Sequence, residues 1–322
     1  MGTAELSCAS LEALARDPQF QVVAVVTQPD RPKGRDLRER ASPVKTLALQ
    51  LGLPVLLPIR VGDEQFVAGL FGLQPDLIVV VAYGQILPQS ILDLPRYGCL
   101  NVHASLLPKY RGAAPIQWAI ANGESETGVT IMKMDAGLDT GPMLAQRRTP
   151  IQAVDDSATL HDRLAWLGAE LLVDTIPGLV AGTIEPQPQP AEGVSHAPKI
   201  KKEDGRIDWT LPAETIRNRL RAFLPWPGAF TFLPRSPMEG QCSSSAKGST
   251  PKPYLLKIWK VETVENTGEA GTVLLVEQNT IVVACGRDSL RILELQPESG
   301  RRMNTTEFLA GHVLEPGIKF LV

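Results

Sequence analysis

The stretch DLIVVVAYG, Asp76 to Gly84, constrains the fold more than any other. Its apolar residues follow one another without the alternation of a half-exposed strand. Both faces must therefore be buried, as in a parallel sheet covered by helices. The apolar part of this run, Leu77 to Ala82, is the longest in the chain and far too short to span a bilayer, which takes about 20 residues. QVVAVVTQ, Gln21 to Gln28, is a second β-branched run, closed by the turn-forming PDRPKG. SPVKTLALQLG, Ser42 to Gly52, has a serine at the N-cap, a proline at the first helical position and a terminal glycine. GCLNVHAS is a third strand, GAAPIQWAIANG a helix, and TGVTIMKM, Thr127 to Met134, a strand with period-2 character. Asp156 and Ser157 open a long helix with Leu160, Leu164, Leu167 and Leu171 on one stripe. Strands and helices in alternation predict an α/β domain with a doubly wound, mostly parallel sheet, Rossmann-like in build.

The pattern then changes. EPQPQPAEG, Glu185 to Gly193, holds three prolines and no apolar period, and predicts an extended tether. Beyond Lys199, after one helical stretch (Pro212 to Arg221), the candidates are nearly all strands: AFTFL, YLLKIWKVETV, GTVLLVE, TIVVACG and SLRILEL. Five short strands predict a small OB-like β-barrel, an architecture that often binds oligonucleotides. Between the first two lies RSPMEGQCSSSAKGSTPKP, read as a surface loop. The expected division is residues 1–182, a linker at 183–200 and a second domain at 201–322, which suits two domains of about 150 residues each.

Charge is uneven. From Lys199 onward 17 Lys and Arg face 14 Asp and Glu, whereas the preceding residues hold 15 against 21. The asymmetry is compatible with a polyanionic partner for the C-terminal part and equally with a merely solvated surface. Cys8, Cys99, Cys242 and Cys285 are scattered, so neither a disulfide framework nor a zinc site is expected. MGTAELSCAS lacks the basic flank and apolar stretch of a signal peptide, which points to the cytoplasm. GxGxxG, P-loop, HExxH and GxSxG motifs are all missing from the sequence.

What remains is NVHASLLPKYRGAAPIQWAI, Asn101 to Ile120, followed by MDAGLDTG. Asn101 and His103 are two apart on a predicted strand, so their side chains share a face. They sit at its C-terminal end, where open α/β sheets place their ligand crevice. Asp139 lies just beyond the strand Thr127 to Met134, again at a C-terminal edge. If those strands are neighbours, one site holds a neutral amide, an imidazole and a carboxylate. For acyl transfer to an amine, Asn101 and His103 would donate to the carbonyl oxygen as it gains charge, and Asp139 would orient the imidazole and favour its protonated form. The amine attacks directly, so no activated nucleophile is required. A satisfied histidine and a turn aspartate account for the same spacing. His161, His196 and His312 are expected to be solvated or in loops, Asp135 to cap backbone N–H groups, and Trp209 and Trp226 to be core or domain-contact residues.

The two motifs together resemble the signature of the formyltransferases that use 10-formyltetrahydrofolate. VAVVTQPDRPKGR with SPVK, VVVAYGQILP, HAPKIKKEDGRIDW, RAFLPWP and LQPESGRRM extend the resemblance over nearly the whole chain. It implies a catalytic domain at 1–182 and a tRNA-binding barrel at 201–322. In it, Asn101, His103 and Asp139 take the positions of a catalytic trio, and Ser105, Leu106, Leu107 and Pro108 those that contact folate. Arg35, central in the basic loop Arg31 to Arg40, takes the place of a residue that engages the acceptor end of initiator tRNA. The implied reaction moves a formyl group from 10-formyltetrahydrofolate, as co-substrate and without metal, to the α-amine of methionyl initiator tRNA. It serves initiation of translation, carried out by a cytoplasmic monomer away from any membrane. Two alternatives are a formyltransferase for another amine, such as an amino sugar, and a tRNA- or folate-binding protein without catalysis. The sequence departs from the family in two places: the family's apolar first strand, just before its Met-Gly-Thr, is expected upstream of Met1, and the segment near Gln241 to Pro253 is longer.

Arg31, Lys33, Arg35, Arg38, Arg40 and Lys45 face only Asp36 and Glu39 in their segment. Such a loop suits phosphate contacts, which set the register of a nucleic acid and make affinity fall with salt. Arg35→Ala is expected to weaken formylation of charged tRNA strongly and to leave folate binding nearly unchanged. Steady-state kinetics with tRNA varied, beside a folate titration, check this; equal losses in both would assign the loop to the fold or the folate pocket.

Overall fold

The computed structural model describes residues 1–33, 38–234 and 253–321, so Arg35 and residues 235–252 of the Ser-rich loop lie outside the described residues. Two compact units divide the chain: Met1–Ile116, Ser125–Ala153 and Thr159–Lys199 in one, Gln117–Glu124, Val154–Ala158 and Ile200–Val322 in the other. In chain order the elements are α1 (Leu6–Arg16), β1 (Val25–Val26), β2 (Arg31–Lys33), β3 (Arg38–Arg40), α2 (Pro43–Gln50), β4 (Val55–Leu56), α3 (Glu64–Gly72) and β5 (Ile78–Val80). There follow α4 (Gln89–Leu92), β6 (Cys99–His103), α5 (Pro115–Ala121), β7 (Glu126–Lys133), β8 (Met143–Pro150) and α6 (Ser157–Ala181). The chain ends with α7 (Ala213–Ala222), β9 (Ala229–Leu233), β10 (Tyr254–Val264), β11 (Val273–Glu277), β12 (Thr280–Ala284), β13 (Ser289–Pro297), β14 (Met303–Asn304) and α8 (Thr305–Gly311).

Local chemistry explains the elements of the first unit. Ser42 caps α2 by accepting from the Lys45 N–H at 3.0 Å, Pro43 occupies the first turn and Gly52 leaves it at φ +68°, as SPVKTLALQLG predicts. The DLIVVVAYG run supplies β5, with Ile78, Val80 and Val81 buried. The strands are parallel where β4 meets β1 and where β5 meets β6. Beyond β6 the sheet turns antiparallel, in the order β5-β6-β7-β8. Met1 and Gly2 link the parallel pairs. Gly2 N–H donates to Val26 O at 2.9 Å, while Val81 N–H donates to Met1 O at 2.9 Å. Beside this link a cavity of about 720 Å³ opens, lined by Leu11, Leu14, Val23, Val25, Val79 and Tyr97 among others.

Helix α6 buries Leu160, Leu164 and Leu171 of its predicted stripe and leaves Leu167 half-buried. By length and composition it is the one helix among the described residues that could cross a membrane, and nearly half of its apolar window is buried inside the fold. Gly168 sets how closely α6 approaches the sheet: a Cβ there would come within 2.7 Å of Val102 Cγ1 on β6. The helix therefore backs the strand that carries Asn101 and His103.

In the second unit the five predicted strands form one antiparallel sheet, in the order β11-β12-β13-β10-β9, with β14 added to β13. These strands do not close into a barrel on themselves. The C-terminal segment instead bridges the two edges: Phe320 N–H donates to Gly271 O and Val273 N–H to Ile318 O, while Leu321 N–H donates to Phe232 O of β9. An edge paired in this way no longer offers unsatisfied backbone groups. Trp209 lies at the centre, fully buried, stacked on Phe320 at 5.5 Å and donating Nε1–H to Thr231 Oγ1 at 3.1 Å. Trp226, expected in a core or domain contact, is instead 57% exposed.

Truncating a buried aromatic typically costs about 3–5 kcal/mol. Trp209→Ala should lower stability on that scale in denaturant titration, and Trp209→Phe should cost much less. A loss below about 1 kcal/mol for the alanine variant would remove Trp209 from the centre of this core.

Candidate active site

The structure brings Asn101, His103 and Asp139 together. Asn101 and His103 lie on β6, where they pair with Met132 and Thr130 of β7. Because β7 runs antiparallel, its C-terminal end lies beside Leu100 rather than beside His103. The shared C-terminal edge expected from the sequence is thus absent, and the β7–β8 connection turns back to deliver Asp139. Asp139 takes φ +52°, a left-handed conformation that aspartate tolerates better than most residues. Asp135 holds this loop, accepting from Gly137 N–H at 3.0 Å and from the Thr140 hydroxyl at 2.8 Å. It is the backbone-capping residue foreseen.

Asp139 is the hub. Its Oδ1 accepts from Asn101 Nδ2 at 3.2 Å and its Oδ2 from Gly112 N–H at 2.8 Å. The same Oδ2 lies 3.7 Å from His103 Nδ1, beyond hydrogen-bonding distance. A half-buried carboxylate is tolerable because these donors replace water. His103 is 5% exposed, and its Nε2 stands 3.0 Å from the Tyr110 carbonyl. A carbonyl only accepts, so the Nε2 proton is given to Tyr110 O. The half-buried Asn101 amide carries a second N–H besides the one given to Asp139.

The loop between β6 and α5 completes the frame. Gly112 adopts φ +121°, and a Cβ there would lie 2.7 Å from Ala197 O, so only glycine can present this N–H to Asp139. Of the four residues that the resemblance assigns to folate, Ser105 and Leu107 are buried, while Leu106 and Pro108 keep partial exposure. Ser105 donates to Lys109 O at 2.7 Å, and Leu107 O accepts from Gln146 Nε2 at 2.8 Å. Thr130, fully buried, donates to Ser105 O and accepts from Leu107 N–H, fixing this turn against β7. Sequence reasoning singled out neither Tyr110 and Gly112 nor Thr130 and Gln146. Only the Gly112 of KYRG carried a visible signal, a glycine inside the motif.

Cys99, two residues before Asn101, is buried, and its thiol is pushed up to about 12 by that burial. It stays protonated at neutral pH and offers no thiolate nucleophile. The arrangement therefore suits polarisation of a carbonyl for attack by an external amine more than covalent catalysis at this cysteine.

Comparison with known proteins agrees with this chemistry. Residues 1–176 match the family described as formyl transferase, and residues 199–313 the formyl transferase C-terminal domain. A methionyl-tRNA formyltransferase from Citrifermentans bemidjiense is 49% identical over 317 residues, covering 98% of this chain and 94% of its own. The methionyl-tRNA formyltransferase of Geobacter sulfurreducens is 49% identical over 319 residues, covering 99% and 95%. Among solved structures, the N-formyltransferase from Helicobacter canadensis, crystallised with folinic acid and dTDP-3-aminofucose, shares the fold. Its TM-score is 0.61 at 20% identity, covering 92% of this chain and 97% of that one. On these matches and this site, the chain belongs to the formyl transferase family.

Proposed function

We propose that this protein transfers the formyl group of 10-formyltetrahydrofolate to the α-amine of methionyl initiator tRNA, as a cytoplasmic monomer serving initiation of translation. The observation that carries the chemistry is the Asp139 carboxylate held between Asn101 and His103 at the end of β6. The choice of acceptor is supported by relatives that are methionyl-tRNA formyltransferases at 49% identity along nearly their whole length. The sugar-nucleotide amine is the ligand of a protein only 20% identical, and it favours the amino-sugar alternative less.

In this mechanism the donor folate lies against the partly exposed Leu106 and Pro108, beside Ser105 and Leu107. The neutral amine attacks the formyl carbon to give a tetrahedral intermediate, which collapses by breaking the bond from that carbon to N10 of the folate. The proton lost by the amine ends on N10, and tetrahydrofolate leaves. The free N–H of Asn101 donates to the oxygen as it gains charge, and His103 offers its Nε2–H there in place of the Tyr110 carbonyl. Hydrogen bonds of this kind commonly tighten or rearrange only once substrate is bound. Asp139 holds both donors in register. Residues 1–182 act as the catalytic domain, 183–200 as the connection and 201–322 as the tRNA-binding part, with Arg35 engaging the acceptor end.

Formylation assays decide among acceptors: pure protein with formyl donor should modify charged initiator tRNA and leave a dTDP-amino sugar untouched, and the reverse would overturn the assignment. Losing one donor to a developing oxyanion typically costs about 10²–10³ in turnover. Asn101→Ala, His103→Ala and Asp139→Asn should each fall on that scale with folding intact by circular dichroism. A folded Asp139→Asn variant with most of its activity would remove Asp139 from the catalytic role.

A further inference from the structure

We infer that Gln189 is a positioning residue for this reaction, setting the place of Asp139 through its main chain; this rests on the catalytic role proposed above for Asp139. Gln189 belongs to the PQPQP stretch, Pro186 to Pro190, where every residue from Glu185 to Gly193 except Gln189 is exposed. Its side-chain amide uses its full hydrogen-bonding capacity. Nε2 donates to Asp139 O and to Gly141 O, both at 2.8 Å. Oε1 accepts from Arg111 Nε at 3.1 Å and from Arg111 Nη2 at 2.7 Å. An amide has two N–H donors and two acceptor lone pairs, and here all four are engaged.

These four bonds join the two segments that meet at the catalytic carboxylate. Arg111 precedes Gly112, whose N–H donates to Asp139 Oδ2, and Asp139 and Gly141 lie on the loop that carries the carboxylate. Gln189 thus ties the donor side and the acceptor side of the Gly112–Asp139 bond to each other. Without it, the main-chain carbonyl of the left-handed Asp139 would lose this donor, and the loop would rely on the Asp135 bonds to Gly137 and Thr140.

The flanking sequence explains why a segment with so little buried surface can do this. Pro188 and Pro190 fix their own φ and restrict Gln187 and Gln189 to extended conformations, so little chain entropy is lost on docking. Gln187 anchors the strap, exchanging N–H to O=C bonds with Met143 in both directions at 2.8 Å. Further along, Tyr110 N–H donates to Ser195 Oγ at 2.9 Å and Ala197 N–H to Arg111 O at 2.7 Å.

The test uses the full chain with 10-formyltetrahydrofolate and charged initiator tRNA. Displacement of a reacting group by about 1 Å costs up to about 10²-fold in rate. Gln189→Ala should lower kcat by about 10- to 100-fold, with KM for the formyl donor within about 3-fold and the melting temperature within a few degrees of wild type. Gln189→Glu keeps the acceptors for Arg111 but sets a carboxylate against two carbonyl oxygens, and should fall at least as far. In an Asp139→Asn background, Gln189→Ala should cost less than about 3-fold more, because both changes act through one group. Wild-type turnover in Gln189→Ala, a loss confined to KM or melting temperature, or a fully multiplicative loss in the Asp139→Asn background would each overturn the proposal. A fully active Asp139→Asn enzyme would instead overturn the catalytic reading beneath it, a result visible in that variant alone.

Discussion

A partly buried carboxylate with more than one donor directed at it is the constraint around which the first unit is organised. Asp139 cannot keep its charge out of water unless those donors are rigidly supplied. The suppliers come from two stretches: Asn101 and, two residues on, the approaching imidazole of His103 from one strand, and Gly112 from the loop after it. Every neighbouring feature serves that convergence. Gly168 lets α6 lie close behind β6, and Thr130 pins the Ser105–Leu107 turn against β7. The result is a carboxylate whose donors are supplied by the fold rather than recruited from solvent.

Where a segment has a one-sided or fully apolar pattern, its structure was legible in the sequence. DLIVVVAYG supplies β5, with Ile78 and Val80 buried and Val79 partly exposed beside the cavity, and AFTFL and YLLKIWKVETV coincide with β9 and β10 residue for residue. The candidate trio was legible because Asn101 and His103 share a strand face. Other elements left no such trace. Strand β8, MLAQRRTP, lies at a sheet edge and buries only Thr149, so its sequence carries no apolar period to detect. The β2–β3 pairing sits in a run of charges and turn formers that reads as loop. The antiparallel course of β7 and the bridging of the second sheet by Gly317–Leu321 depend on contacts between distant residues. No local pattern encodes such contacts.

Part of the positive charge of the second unit is neutralised locally. In the second unit Arg291, Arg301, Arg302 and Lys319 each meet a glutamate, and Arg302 also lies over the Trp259 ring. Exposed pairs of this kind contribute little to stability. They do lower the local positive potential that such residues would otherwise present. A basic count alone therefore overstates the field of this unit, and recognition of a nucleic acid depends on where its cations stand rather than on how many there are.

The central claim is that Asn101 and Asp139 act as one catalytic unit. The most direct measurement is the turnover of the Asn101→Ala/Asp139→Asn double variant beside both single variants, under saturating donor and charged tRNA. Residues that work as a unit lose together, so the double variant should be no slower than the worse single by more than about 3-fold. Losses that multiply across the two sites would mean that each residue acts on its own, and would contradict the account.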